Sequence, residues 1–379
     1  MCWWRVGLPR AEMPTWRKNW KRKGMMPTQP NLTEAETRLG GALPHRRVEA
    51  WKWTDVRNSV KETASGLVSA CEPVFELPSD LSVNRAVNTA KDHAMGTLAH
   101  NFSGESYLID VPAGYQSIDV VRLSGLSAGH ARIFIKLGKS AELTVIEDHR
   151  SDEAGFVNIE VNYDLGEGAS LTRTMTHRDH AQSTRIVTSQ INAWASAKVI
   201  QHALSFGGGL SRLETNVAAL GEGLNAQIHG AYLLNDQRHT DMTSYIDLGA
   251  PDGVIRQTVK GVVTDKARGV FQGKFHVRRP AQHTDAEMRH DALMLSDTSE
   301  IRAKPELEIY ADDVECAHGN TLGALDESAL FYMRQRGIPL KEARALLTEA
   351  FVAEVFDDLA EDRRDDFMTD IRTWLEANS

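Results

Sequence analysis

Short runs in which β-branched and polar residues alternate dominate the middle of the chain, from about Tyr107 to Val277. Typical runs are SIDVVRLSG, ARIFIKLG, AELTVIED, FVNIEVNYDLG and TRIVTSQINAW, which are separated by glycine or other small residues. A period of two places successive side chains on opposite faces of a strand. The pattern therefore predicts many short β-strands.

A turn of small or polar residues recurs at nearly constant spacing in the same region. The segments LGKSAELTV, LGEGASLTR, AWASAKVIQ, LGEGLNAQI and LGAPDGVIR begin 28, 28, 27 and 28 residues apart, at Leu137, Leu165, Ala193, Leu220 and Leu248. A turn and strand that repeat at such an interval are typical of stacked coils. The repeat predicts a β-helix, or β-solenoid, over residues 107–322, so the fold class is mainly β.

Helical patterns flank this core. In NLTEAETRLGGALP, Thr33 is placed to cap a helix with Glu36 three residues later, and Gly40 with Gly41 marks its end. Residues 31–106 are thus predicted to form a small N-terminal helical region.

Residues 323–379 are predicted to form a C-terminal helical domain. A first helix is capped by Asp326 and ends at Gly337, and Pro339 stands where a second helix begins. The second is expected to run about five turns on standard geometry. Its apolar residues recur at spacings of three and four: Ala343, Leu346, Leu347, Ala350, Phe351, Val355 and Leu359. A third helix, DDFMTDIRTWLEA, has Phe367, Ile371, Trp374 and Leu375 on one side.

Composition and charge narrow the classes of function. Of 379 residues, 41% are hydrophobic and 25% charged, and the net charge is −9. This charge argues against general nucleic-acid binding. The first 26 residues carry seven Lys or Arg and one Glu. Residues 1–30 are expected to be disordered or to be a mis-called leader, in which case the true start is Met25 or Met26. No secretory or membrane-spanning apolar run follows, which predicts a cytoplasmic protein with no membrane association.

The cysteines are too few for a self-contained metal cluster. They are Cys2, Cys71 and Cys316, so one chain cannot supply a disulfide scaffold or four cysteine ligands.

Two other motifs are not expected to form a phosphate loop or a metal site. The glycines at 207–209 lack a following Gly-Lys-Ser/Thr and are expected to form a turn. His177 and His180 are expected to face opposite sides of a strand.

ADDVECAHGN, residues 311–320, concentrates the reactive groups. If it is one alternating strand, Cys316 and His318 share a face with Asp312 and Val314, while Asp313, Glu315 and Ala317 lie opposite. A thiolate and an imidazole suit iron or zinc but are two ligands short of a tetrahedral shell. Whether Cys316 binds metal or only packs stays open.

Several motifs together resemble the SufB/SufD family of iron-sulfur cluster assembly proteins. They are KGVVTDKARGVFQGKFHV (260–277), AQHTDA (281–286), KPELEIYADDVECAHGNTLGALDESALFYMRQRGI (304–338), ARALLTEAF (343–351) and, upstream, EAWKWTDVR (49–57). The Asp-Asp-Val-x-Cys-x-His-Gly form and the lack of a cysteine-rich region resemble the SufD branch. The chain is less similar at 247–255 and at His283, where the family commonly has other residues.

The resemblance implies a right-handed β-helix between helical parts and a non-catalytic scaffold subunit in a complex with SufB and the ATPase SufC. SufB would pair through the β-helices, and Cys316 with His318 would face a nascent iron-sulfur cluster shared with SufB. The chain alone would bind no cofactor, whereas reduced flavin accompanies some such complexes. SufC would dock on the C-terminal helices, through Leu330, Phe331, Leu346, Leu347, Phe351 and Val355.

Two alternatives remain at this point. The chain could be a SufB-like paralogue that forms homodimeric scaffolds, also when alone. It could instead be a β-helix lyase or hydrolase of acidic polysaccharides, with Asp312, Asp313 or Glu315 as acid and base. Carboxylates on opposite faces of a strand and a cytoplasmic location count against the enzyme.

Overall fold

The computed structural model describes residues 30–60, 65–86, 93–116 and 119–378. The predicted leader, except Pro30, lies outside this part of the chain, as does Cys2. Within it, strands and helices follow the predicted order, and the molecule is mainly β, a β-solenoid of about 8 turns with helices at the C-terminus. The predicted fold class is confirmed.

Two sheets of nine strands each form the solenoid walls. The strands are β1 Val74–Glu76, β2 Val83–Ala86, β3 Ser106–Val111, β4 Val121–Ser124, β5 Gly129–Leu137, β6 Glu142–Ser151, β7 Phe156–Leu165, β8 Ser170–Asp179, β9 Thr184–Ala193, β10 Lys198–Ser205, β11 Leu210–Ala219, β12 Asn225–Leu234, β13 His239–Leu248, β14 Val254–Val263, β15 Arg268–Val277, β16 Thr284–Met294, β17 Glu300–Ile309 and β18 Val314–Gly323. Sheet I has the order β2-β3-β5-β7-β9-β11-β13-β15-β17, and sheet II has the order β1-β4-β6-β8-β10-β12-β14-β16-β18.

Each coil contributes one strand to each sheet, and from β3 onward neighbouring strands of a sheet pair in parallel. The repeat found in the sequence is visible in this stacking, since Leu137, Leu165 and Ala193 occupy one register position. The fourth member is Ala219, which pairs with Ala193 and with Leu248. The predicted Leu220 is therefore one position too late, and its side chain is exposed because it begins the turn.

The two ends of the solenoid differ. At the N-terminal end, the short strands β1 and β2 pair antiparallel with β4 and β3. At the other end, β17 and β18, each ten residues long, are the last strands of their sheets. One edge of each therefore has no strand partner among the described residues. Pro305 in β17 is tolerated there because an edge strand pairs on one side only.

The N-terminal segment covers part of the outer face of sheet I. It contains α1 (Pro30–Leu39), a 3-10 turn (Glu49–Trp51), α2 (Val56–Ser59) and α3 (Ala94–Phe102). Buried side chains such as Leu43 and Leu98 pack with Phe156, Ile186 and Leu210 of the sheet. The region predicted as helical also holds β1 and β2, because their residues extend the two sheets.

Thr33 does not cap α1, contrary to prediction. It lies inside the helix, where its carbonyl accepts a hydrogen bond from the Thr37 hydroxyl at 2.7 Å. The helix already includes Pro30, a residue favoured in a first turn. Glu36 instead accepts from the Leu43 amide at 3.1 Å and pairs with Arg57. The predicted end is correct, since Gly40 takes a left-handed φ of 72°.

The C-terminal helical region packs on part of the outer face of sheet II. They are α4 (Glu327–Gln335), α5 (Leu340–Ala353), a 3-10 turn (Glu354–Phe356) and α6 (Glu361–Asn378). A buried cluster joins sheet and helices through Leu204, Phe206, Ala231, Leu233, Val262, Val352, Val355, Phe356, Leu359, Phe367, Met368, Ile371, Trp374 and Leu375. Among the described residues, none of the helices combines the length and the apolar character that a membrane span requires.

The predicted C-terminal helices are partly corrected. Asp326 caps α4 as expected, accepting from the Ser328 amide at 2.8 Å. The second helix is shorter than five turns, since it ends in the 3-10 turn and α6 begins at Glu361. Its apolar stripe is divided, because Val355 and Leu359 pack on the sheet while Leu346 stays 43% exposed. The third helix matches the prediction, with Phe367, Ile371, Trp374 and Leu375 all buried.

Candidate functional site

Cys316 and His318 lie on the inward face of β18, at the open end of the solenoid. They stand directly over Ala286 and Met288 of β16, whose side chains belong to the buried core. Cys316 is half-buried against that core, whereas His318 is exposed. The predicted alternation from Val314 onward is therefore correct, and one strand presents a thiol and an imidazole side by side.

The two aspartates before the strand do not follow that alternation. β17 ends at Ile309 and β18 begins at Val314, so Asp312 and Asp313 lie in the turn between them. Their backbone amides donate to Gln282 Oε1 at 3.3 and 3.0 Å. The prediction of one continuous strand through ADDVECAH is wrong there, because the chain must cross from one sheet to the other. Asp313 faces His283 instead, with Oδ2 3.4 Å from Nε2.

The electrostatics of Cys316 favour the neutral thiol. Burial raises its pKa, and the nearby Asp285 carboxylate raises it further. A thiol must lose its proton to bind metal, so a cation close to Cys316 would have to offset this shift. No group of three or more His, Cys, Asp or Glu able to hold a metal ion occurs among the residues that the structure describes. The pair by itself is an incomplete ligand set.

The surroundings of the pair are the unpaired edges of β17 and β18. Ile309, Tyr310 and Leu322 are 41%, 56% and 48% exposed at this end of the molecule. A long edge with free backbone N–H and C=O groups and exposed apolar side chains is a template for pairing with another chain. The thiol and imidazole thus lie where a second protein would meet the solenoid.

Comparison with known proteins shows to which family this chain belongs. Residues 121–351, more than half of the chain, match the family model described as SUF system FeS cluster assembly, SufBD core domain. The chain belongs to the SufB/SufD family. It therefore has a role in iron-sulfur cluster assembly, and the proteins of this family are assembly proteins.

Relatives within the SufB/SufD family cover different shares of the chain. An iron-sulfur cluster assembly SufBD family protein of Synechocystis sp. is 27% identical over 84% of this chain and 84% of its own length. The iron-sulfur cluster assembly protein SufD of Escherichia coli is 29% identical over 62% of this chain, and the match spans 56% of that protein. Protein ABCI7, chloroplastic, of Arabidopsis thaliana is 30% identical over 61% of this chain and 50% of its own length.

The upstream segment EAWKWTDVR, residues 49–57, lies across sheet I. Arg212 of β11 stacks on the Trp51 ring, 4.2 Å from its centroid, and donates to the Ala50 carbonyl at 2.8 Å. Thr54 donates to the buried Asp241 of β13. Lys304 of the edge strand β17 pairs with Glu49 at 3.0 Å. The motif therefore connects three strands, and Trp51 acts as a packing anchor.

The predicted docking residues of this SufB/SufD family chain separate into exposed and buried groups. Phe331 of α4 and Leu346 of α5 are 66% and 43% exposed, and Leu347 is half-buried. Leu330 is buried, and Val355 packs against sheet II. Phe351 is partly buried and carries the Lys260 ammonium 4.5 Å from its ring centroid. The exposed group leaves an apolar surface on α4 and α5.

Sequence reasoning missed a charged network inside the solenoid. Glu147 and Arg173 are fully buried and bonded through both carboxylate oxygens, at 2.5 and 2.8 Å. Although burial opposes ionisation, the Arg173 charge and the His149 hydrogen bond hold the pKa of Glu147 far below its usual range. Tyr163 donates to the same carboxylate at 2.6 Å. The sequence did indicate this network, because Glu147 and Arg173 each occupy a core-facing position in an alternating run.

Histidines set aside in the sequence are structural. His177 is buried in β8 and contacts Ser205 Oγ at 2.8 Å and Asp179 Oδ2 at 3.0 Å. His180 follows β8 in a turn, so the prediction that both histidines lie on one strand is wrong for His180. Residues 207–209 form the predicted turn between β10 and β11, with Gly207 at a φ of 71°.

Proposed function

We propose that this chain is a non-catalytic scaffold subunit of the SufD type. It would work with SufB and SufC in assembling iron-sulfur clusters. The observation that carries the proposal is the position of Cys316 and His318, side by side on an edge strand at the open end of the solenoid. A cluster site shared between two chains requires ligands at a surface that a partner covers.

The incomplete ligand set supports a shared site. Iron-sulfur clusters are usually held by four protein ligands, and zinc by four in structural sites. This edge offers two, so SufB would have to supply the rest. The nascent cluster is cargo in this scheme, passed on after assembly. No flavin site is assigned to this chain, and reduced flavin would bind elsewhere in the complex.

His318 and Cys316 have different parts in the proposal. The exposed imidazole of His318 offers a nitrogen lone pair that can bind iron or accept a proton from an incoming sulfur species. Cys316 is half-buried, and its raised pKa keeps the thiol neutral until a cation or partner arrives. His318 would therefore be the first of the two to bind iron or the sulfur species. Cys316 would then either bind the metal as a thiolate or pack at the interface.

The C-terminal helices supply the proposed link to SufC. Phe331, Tyr332 and Leu346 expose apolar surface on α4 and α5. The end of α5 is held on sheet II, where Lys260 pairs with Glu354 of the following turn. Motion imposed on these helices by an ATPase would reach β14 through this contact, and β14 pairs with β16, which pairs with β18.

Cluster formation tests the role of His318. The chain would be co-expressed anaerobically with SufB and SufC, and the cluster read by its visible absorption. His318→Ala should reduce cluster content severalfold, while His283→Ala, an exposed histidine on the neighbouring turn, should not. Unchanged absorption in the His318 variant would refute the proposed site.

Partner binding tests the docking surface. Removal of the residues after Gly337 should abolish co-purification of SufC, while circular dichroism still reports the β-solenoid. Phe331→Ala with Leu346→Ala is the milder form, because both side chains are exposed and their loss opens no core cavity. SufC that still co-purifies with the truncated chain would contradict the docking assignment.

A homodimeric scaffold is the second candidate, favoured by the same unpaired edges. Two copies could pair through β17 and β18, because such an edge can meet its own copy. Sedimentation of the isolated chain, then of the chain mixed with SufB, distinguishes the two. A homodimer that persists in the presence of SufB would favour the second candidate.

A further inference from the structure

The outer half of β18 pairs with β16 along its length but has few side-chain contacts that could hold it. Every residue from Ala317 to Gly323 is exposed, and Leu322 is 48% exposed although it faces inward. Val314 and Cys316 are the β18 side chains that pack against the core cluster. His318 therefore stands on a strand paired on one side, beyond the last of these apolar contacts.

Asn320 provides an anchor for this half. It occupies the inward position next after His318 and lies directly over His290 of β16. The His290 ring nitrogen Nδ1 is 2.7 Å from Asn320 Oδ1. In the neutral ring with hydrogen on Nδ1, His290 donates this bond, and Nε2 is free to accept another.

Tyr232 supplies that second bond from two strands away. Its hydroxyl is 2.9 Å from His290 Nε2 and donates to it in this tautomer. The His290 ring also stacks on Phe271 with centroids 4.9 Å apart and planes within 6°. Both His290 and Tyr232 are fully buried. The imidazole is therefore fixed on both nitrogens and on one face.

Two glycines make the Tyr232 position available. A Cβ at Gly261 would lie 2.2 Å from Tyr232 Cζ, and one at Gly269 would lie 2.4 Å from Cε2. The ring crosses β14 over Gly261 to reach β16. Neither glycine has a left-handed φ, so space for the ring explains them and backbone strain does not.

We propose that His290 is a positioning residue: held by Tyr232, it anchors Asn320 and thereby fixes the exposed half of β18 that carries His318. This inference rests on the proposed function, since His318 needs a fixed place only if it captures iron or sulfide there. Without the anchor, the strand would fray from its unpaired side and His318 would sample many positions.

Substitutions of Asn320 test the anchor without disturbing the core. Asn320→Leu removes the acceptor, and Asn320→Asp keeps an oxygen that accepts from His290. Thr321→Val, on the opposite face of β18, is the control. In the full chain, amide hydrogen exchange of residues 314–323 should rise about tenfold in the Leu variant and remain near wild type in the other two.

Cluster content of the complex co-expressed with SufB and SufC gives the second readout. It should fall severalfold in Asn320→Leu and be restored in Asn320→Asp. His290→Phe should match Asn320→Leu, because it keeps a ring that stacks on Phe271 but removes the Nδ1 donor that bonds Asn320. The proposal is overturned if Asn320→Leu leaves exchange or cluster content unchanged, or if Asn320→Asp is as impaired as Leu.

His318→Ala separates the two proposals. If it leaves cluster content unchanged, the proposed function fails, whatever the exchange of β18 shows. If it lowers cluster content while Asn320→Leu does not, the proposed function stands and the anchor fails.

Discussion

Lys260 of β14 forms an ion pair with Glu354, in the turn that ends α5. The Lys260 side chain is 3% exposed, and its ammonium lies 4.5 Å from the Phe351 ring centroid. The contact joins the solenoid to the C-terminal helices. The hydrogen bond from Lys260 lowers the pKa of Glu354, so the Glu354 carboxylate is ionised at neutral pH.

Glu354→Gln should therefore loosen the C-terminal helices. It leaves a buried ammonium without its counter-charge, which is expected to cost about 1–3 kcal/mol. Asp357→Asn is the matched control, because Asp357 pairs at the surface with the half-exposed Arg364, and such pairs contribute about 0–1 kcal/mol. Urea unfolding of both variants measures the difference. Equal midpoints would show that the Lys260 pair is not a structural contact of the helices.

The Cys316 thiol should react slowly at neutral pH. Its pKa is raised by burial and by Asp285, and a raised pKa means less thiolate at any given pH. Alkylation by iodoacetamide should thus keep rising with pH beyond the range in which an ordinary cysteine saturates. Mass spectrometry of the peptide that contains Cys316 gives the profile. Asp285→Asn should shift the profile to lower pH, and no shift would exclude Asp285 as a cause.

Mild acid should destabilise the fold. Burial lowers the pKa of His130, His229 and His239 from 6.5 to about 4 in each case. Between these values the unfolded chain binds protons that the native chain does not, so stability falls as the pH drops from about 6.5 toward 5. At pH 5 each histidine would lower the free energy of unfolding by roughly 2 kcal/mol relative to neutral pH.

Urea midpoints measured between pH 7 and 5 check this slope, above the range in which ordinary carboxylates titrate. His130→Gln is the control, because its amide can still donate to the Leu67 carbonyl that His130 Nε2 contacts at 2.8 Å. In His130→Gln the urea midpoint should depend less steeply on pH, by the contribution that one histidine makes. A slope identical to wild type would mean that His130 does not titrate differently on unfolding.

Gly261→Ala should be strongly destabilising. The added methyl would lie 2.2 Å from Tyr232 Cζ, inside a packed core. Overpacking of this kind costs about 1–3 kcal/mol. Gly253→Ala is the control, since its nearest contact would be 3.6 Å from Leu248 Cδ2. Thermal unfolding distinguishes the two, and equal melting temperatures would show that the ring can move aside.

Much of the candidate site was predictable because it depends on strand geometry. Once residues 314–318 form a strand, a period of two places Cys316 and His318 on one face whatever the rest of the fold. The position of Asp312 and Asp313 was not predictable in this way. A turn between sheets interrupts the alternation before Val314, and its place depends on where β17 and β18 must end to stack on β15 and β16.

The solenoid, the helices at both of its ends and the thiol-imidazole pair could be predicted from the chain alone, because periodicity, turn spacing and motif are local properties. The folded structure was needed to show which helix faces are covered, that Glu147 and Arg173 meet in the core, and that hydrogen bonds join Tyr232, His290 and Asn320. Those contacts join residues 26, 58 and 30 positions apart in sequence. Such distances are closed by the stacking of coils, and a local pattern does not report them.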